Sequence, residues 1–178
     1  MPDERNRKPR PPLDAAALER LALFYTGRYG TTRAKLRAYL SRKLAERGWA
    51  AEGAAPLDAL IERLAGLGYV DDRAFAASRA ASLTRRGYGA RRVRQALGAA
   101  GIAEADSAEA REAAQAQAWT AALRYAERRG IGPFAERAAD RAGREKAMAA
   151  MLRAGHPPGI AKRVAVARPG EIPEQDEF

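Results

Sequence analysis

The stretch GLGYVDDRAFAAS, residues 66–78, sets two adjacent carboxylates, Asp71 and Asp72, between a glycine turn and an alanine-rich run. Paired-carboxylate chemistry needs two acids facing one another across a site. Consecutive residues instead point about 100° apart on a helix and to opposite faces of a strand. The pair is therefore read as structural. A short acceptor side chain just before a helix satisfies an orphaned backbone N–H and meets the positive end of the dipole, an effect of about 1 kcal/mol. The stretch thus reads as a helix ending at Gly68, a turn, and a new helix capped by the aspartates. Tyr69 and Phe75 flank the turn, and both rings are expected in the core, pinning one helical unit to the next.

Upstream of the turn, Leu57, Leu60, Ile61, Leu64 and Leu67 keep the i, i+3, i+4, i+7 spacing of an amphipathic helix, with Pro56 at its first position. Before it, Thr31 or Thr32 opens a helix that aligns Leu36, Tyr39, Leu40 and Leu44 and stops at Gly48. Asp14 caps the first helix, with Leu18, Leu21, Ala22 and Tyr25 on one face and a stop at Gly27 or Gly30. Downstream, residues 71–84, residues 90–100 and the run after Ile102 supply a second set of three helices. Asp106 with Glu109 gives a D-x-x-E capping signal, and from there the pattern runs unbroken to Arg129. Residues 134–154 are expected as the middle helix of a third set.

The pieces LAERG, LGAAG and MLRAG end at Gly48, Gly101 and Gly155, 53 and 54 residues apart, and each reads as the last turn of a helix meeting its C-cap glycine. The expected architecture is all-α, an elongated array of three tandem three-helix repeats built as helix-turn-helix-like units. The repeats fall at 13–70, 71–114 and 115–168. A disordered arm, 1–12, precedes them, and an acidic disordered tail, 169–178, follows.

Hydrophobic residues make up 47% of the 178, much of it alanine, which favours thin helical modules over a thick core. Without cysteine the chain forms neither disulfides nor thiolate metal sites. No window is apolar and long enough to span a membrane, and the first residues lack the apolar segment of a signal peptide, so a cytoplasmic protein is expected. The net charge is +10, and the last ten residues hold four acids and no base, so residues 1–168 carry +14. Such a body is drawn to polyanions.

That charge is unevenly spread. From Arg20 to Ala45 there are seven bases and no acid, and from Arg73 to Ala103 there are seven arginines and no acid. Solvated helices ordinarily interleave both signs, so the two windows mark a positive binding surface. Its members are Arg33, Lys35 and Arg37 in the first window and Arg85, Arg86, Arg91, Arg92 and Arg94 in the second. In TRRGYGARRVRQAL the glycine-flanked turn opens a helix, where backbone N–H groups and arginines together suit phosphates. Base-reading Asn and Gln are scarce there, which favours sequence-independent contact. Other chemistry is thin. His156, the single histidine, reads as a turn residue before Pro157 and Pro158, and no nucleophile or phosphate-loop motif occurs. No catalytic site, cofactor or metal is expected.

The combination GLGYVDDRAFA resembles the Gly-Tyr-Leu-Asp-Asp signature, with a following Phe-Ala, of the RecX family of regulators of the recombinase RecA. In this chain it comprises Gly68, Tyr69, Asp71, Asp72 and Phe75. Residues 87–102 resemble the family's Gly-x-x-x-Ile-x-x-x-Leu-x-x-x-Gly-Ile region, and GRYGTTRAKLRAYLSRKLAERGW follows the family order of aromatic, helix start, basic helix and Gly-aromatic end. The likeness extends over residues 16–166. Lys35 and Ala96 stand where the family tends to have Glu, Val70 replaces Leu, and Gly155-His156 replaces Gly-Phe. The resemblance implies three three-helix repeats and a monomer that lodges in the groove of the RecA filament on single-stranded DNA. It further implies restraint of ATP hydrolysis, strand exchange and co-protease function, with bare single-stranded DNA bound weakly and without sequence preference. The alternatives are a helix-turn-helix-like DNA-binding protein acting without RecA and an α-solenoid scaffold indifferent to nucleic acid.

Overall fold

The computed structural model describes residues 10–175. Among them the regular structure is helical, with no strand and a single isolated bridge, so the chain is all-α. It divides into two compact units, Met1–Asp72 and Arg73–Phe178. Most of the expected N-terminal arm and the end of the tail lie outside the described residues.

The first unit holds α1 (Ala15–Arg28), α2 (Arg33–Arg47) and α3 (Leu57–Gly66). Asp14 caps α1 by accepting the Ala17 N–H at 2.7 Å, and Thr32 caps α2 by accepting that of Lys35. Leu18, Leu36, Leu40, Ile61 and Leu64 close a core with Leu13, which is wholly buried. Each such aliphatic side chain contributes about 1.5–3 kcal/mol. Leu13 exchanges backbone hydrogen bonds with Gly48 and Ala50, and the Pro11 carbonyl accepts from the Arg47 guanidinium, so the described part of the arm is held against the unit. Pro56 sits at the cap of α3, one residue earlier than expected.

The second unit holds α4 (Asp72–Arg85, entered from the first unit's last residue), α5 (Ala90–Ala99), α6 (Glu104–Ala116), α7 (Ala118–Arg129), α8 (Arg141–Arg153) and α9 (Pro158–Val166). Its buried residues form two clusters. One, from Ala76 to Ala114, is built on Val93, Leu97 and Ile102, and the other, from Ala118 to Val164, is built on Trp119, Tyr125, Met151 and Ile160. Three expectations are corrected here. Asp106 lies inside the first turn of α6, capped by Ala103, because its carboxylate is drawn to Arg73 at 3.0 Å. The helix expected to run unbroken to Arg129 is interrupted at Gln117. Residues 134–154 do not form one helix, since the Gly132–Phe134 3-10 turn and an irregular stretch precede α8.

One helix ending recurs. At Gly68, Gly87, Gly101, Gly130 and Gly155 the glycine has positive φ, its N–H returns three residues, and the N–H of the next residue returns five. These paired bonds define the Schellman motif, in which the residue after the glycine tends to meet the helix's own apolar face. Gly48, the first of the three glycines in the spacing argument, ends α2 differently, with a single bond to the Leu44 carbonyl.

Candidate polyanion-binding surface

The aspartates come first. Asp71 immediately precedes α4, the cap position, whereas Asp72 is buried and serves a different helix. Its Oδ1 accepts the Arg33 N–H at 2.9 Å, and its Oδ2 lies 3.8 Å from the Arg33 guanidinium. One carboxylate thus satisfies an orphan donor in the first turn of α2 and half-neutralises the arginine beside it. Tyr69 corrects the expectation of a core ring, being 53% exposed. Phe75 packs against the α4–α6 cluster as expected.

The first basic window is free of acids along the chain but not in space. Helix α3 supplies Glu62 to Arg33 at 3.1 Å and Asp58 to Arg37, while Glu46 takes Arg42 and Lys43. Lys35 is exposed on α2. The positive field of this unit is therefore weaker than the count of bases implies, although its exposed pairs are individually worth only about 0–1 kcal/mol.

In the second window the arginines diverge in role. Arg85, Arg92 and Arg94 are exposed and, among the described residues, make no ion pair within 4 Å, although the Arg94 charge acts on the Glu104 carboxylate. Arg86 lies over the Tyr88 ring at 5.4 Å, and Arg128 of α7, which sequence reasoning missed, lies over the same ring at 6.0 Å and over Tyr125 at 5.8 Å. Arg91 is exposed too, and its Nη2 donates to the Leu152 carbonyl at 2.8 Å.

The start of α5 does not offer its backbone to phosphate. The Gly89 N–H donates to the Ala154 carbonyl at 3.0 Å and the Arg91 N–H to that of Gly155 at 3.2 Å. The two glycines permit this approach. A Cβ on Gly89 would fall 2.3 Å from the Gly155 oxygen, and one on Gly155 would fall 2.4 Å from the Arg92 nitrogen. The end of α8 thereby fills the anion-attracting N-terminus of α5, leaving phosphate contact to exposed side chains.

His156 lies in the turn between α8 and α9, as expected, and seals the same junction. It is buried, its Nε2–H donates to the Gly87 carbonyl at 3.1 Å, its ring lies 5.5 Å from that of Tyr125, and Nδ1 has no hydrogen-bond partner among the described residues. Burial pushes its pKa down to about 4, against a smaller opposing effect of the Gly87 bond. His156 follows Gly155 as the buried Ile102 follows Gly101, but Tyr69, in the same place after Gly68, is exposed, so the motif alone does not fix burial at that position.

Among the described residues no cluster of acids and histidine could hold a metal, and no helix is long and apolar enough to cross a membrane. Three-helix domains carrying an exposed arginine set define an all-α protein with a basic surface. Residues 71–110 match the second three-helix domain of RecX proteins. The chain is 32% identical over 163 residues to regulatory protein RecX of Myxococcus xanthus strain DK1622, spanning 85% of this chain and 86% of that one. It belongs to the RecX family. Its fold is similar to the crystal structure of RecX from Lactobacillus salivarius, with a TM-score of 0.61 and 19% identity over 84% of this chain and 92% of that one. A second crystal structure of regulatory protein RecX gives a TM-score of 0.57 and 22% identity over 84% of this chain and 72% of that one.

Proposed function

We propose that this protein is a non-enzymatic, monomeric, cytoplasmic regulator that binds the RecA filament on single-stranded DNA. Lodged in the filament groove, it restrains ATP hydrolysis, strand exchange and co-protease activity. The observation that carries the reading is the set Arg85, Arg92 and Arg94, exposed and making no ion pair among the described residues, within the segment that matches the second RecX domain. Desolvated opposite a polyanion, such charges steer encounter and hold register without reading bases. Arg86 joins this face through Tyr88, and Arg33, Lys35 and Arg37 contribute a weaker second one. The division into repeats at 13–70, 71–114 and 115–168 belongs to the same proposal, supported by three separate clusters of buried residues.

The test is the single-stranded-DNA-dependent ATPase rate of the host RecA as this protein is titrated in. Suppression well below one copy per RecA protomer supports regulation by capping or cooperative blockade, and suppression only near equimolar supports groove coating. An unchanged rate at excess protein rejects the RecA reading. Saturable binding to particular duplexes would then favour a helix-turn-helix-like protein acting without RecA.

A further inference from the structure

A groove in the second unit takes no part in the surface described above. It runs between the end of α7, the irregular stretch that follows, and one face of α8, and encloses about 270 Å³. Its floor is apolar and made of small groups, with Ile131, Ala147 and Ala150 the main side chains and Gly132 and Gly143 contributing only backbone. Ala147 and Ala150 share a face of α8 with Met151 and Ala154, Ala150 being buried and Ala147 packed against the core, so the groove opens along the edge of that face, where Gly143, Lys146 and Arg153 border it. A smaller cavity of about 150 Å³ shares Gly132, Ala135 and Ala139 with it and extends the channel toward the end of α9.

Cations alone supply the formal charge of its lining. Arg129, Lys146 and Arg153 border the larger cavity, and Arg144 and Arg168 border its extension. Lys146 and Arg153 lie two helical turns apart on α8, on the same side as Ala150. None of the five makes an ion pair among the described residues; of the nearby acids Glu145 pairs with Arg141, while Asp140, which accepts the Gly143 N–H, and Glu136 keep their charges at the groove edge. Five cations around an apolar floor are complementary to an apolar side chain flanked by carboxylates. The size agrees, since a cavity of about 150 Å³ already admits a benzene ring. A nucleobase fits less well. No aromatic side chain lines the groove for stacking.

We propose that this groove is a docking site for an acidic peptide segment of a partner protein, one that seats a phenylalanine or similarly large apolar side chain on Ala147 and Ala150 while its carboxylates pair with Lys146, Arg153 and Arg129. The site is separate from the arginine set of α4 and α5 and does not depend on the RecA reading.

The experiment uses the full chain and a fluorescein-labelled peptide of alternating Glu and Asp around one central Phe, with binding followed by anisotropy. Saturable binding is expected, weakened about tenfold or more when the peptide Phe becomes Ala, and similarly by Lys146→Glu with Arg153→Glu. Both substituted positions are exposed, so circular dichroism should be unchanged. Ala147→Leu, which fills the floor, should weaken the Phe peptide and leave the Ala peptide unaffected; if that variant misfolds, the charge reversals carry the test. Equal affinity for the Phe and Ala peptides would overturn the proposal in favour of nonspecific polyanion attraction. No peptide binding, with oligo(dT) binding lost on Lys146→Glu and Arg153→Glu, would overturn it in favour of a nucleic-acid surface.

Discussion

At the scale of single residues, His156 makes stability depend on pH. Its pKa, near 6.5 unfolded, falls to about 4 in the folded chain, so below pH 6.5 the unfolded state binds a proton that the folded state refuses. The neutral ring's contribution is complete above about pH 6.5 and is lost progressively as pH falls toward 4, amounting to about 3 kcal/mol. Denaturant unfolding across this range should show the loss, and His156→Phe should flatten it. An equally steep profile in the variant would assign the effect to other groups. Two glycines respond oppositely to alanine. Gly155→Ala forces a Cβ against the Arg92 backbone at φ +95° and should cost at least about 2 kcal/mol. Gly98→Ala, in α5 with nothing within 4 Å, should stabilise by about 0.5–1 kcal/mol, and thermal melts of the two variants read both effects.

At the scale of elements, helix ends decide most of the local structure, and they use partners from beyond their own turn. Asp72→Ala leaves the Arg33 N–H at the start of α2 without its acceptor and should destabilise by about 1–3 kcal/mol. Asp72→Asn, which keeps an oxygen there, should cost less; equal losses would mean that the charge rather than the hydrogen bond matters. The end of α8 set against the start of α5 explains why Arg91 is a poor probe of binding. Its side chain, though exposed, holds the Leu152 carbonyl, so Arg91→Glu should disturb the α5–α8 contact as well as any binding, whereas Arg92 and Arg94 are exposed without such a bond among the described residues. Positions such as Leu18, Leu36, Leu40, Ile61 and Leu64 were legible because a 3.6-residue period fixes which side chains share a face. The interruption at Gln117 was not legible, because no glycine or proline marks it.

At the scale of the whole molecule, the chain carries +10, but what reaches a polyanion depends on which bases lack acids beside them. Replacing Arg85, Arg92 and Arg94 by Ala should weaken single-stranded DNA binding and flatten the log–log salt dependence by roughly two, at about 0.7 per contact. The same substitutions should lower potency against the host RecA while helical content stays constant. Unchanged slope and potency would move the binding face elsewhere.

The sequence by itself determined the all-helical class, most helix starts and stops, the apolar faces and the family resemblance, because each depends on residues within a turn or two of one another. Only tertiary structure decided which charges remain unpaired and where His156 and Tyr69 lie. Arg33 meets Glu62 and Asp72 across 29 and 39 residues, Arg91 meets Leu152 across 61, and His156 meets Gly87 across 69. Helical periodicity carries no information over such separations. An acid-free window is a property of the chain, whereas an acid-free surface depends on which helices packing brings alongside it.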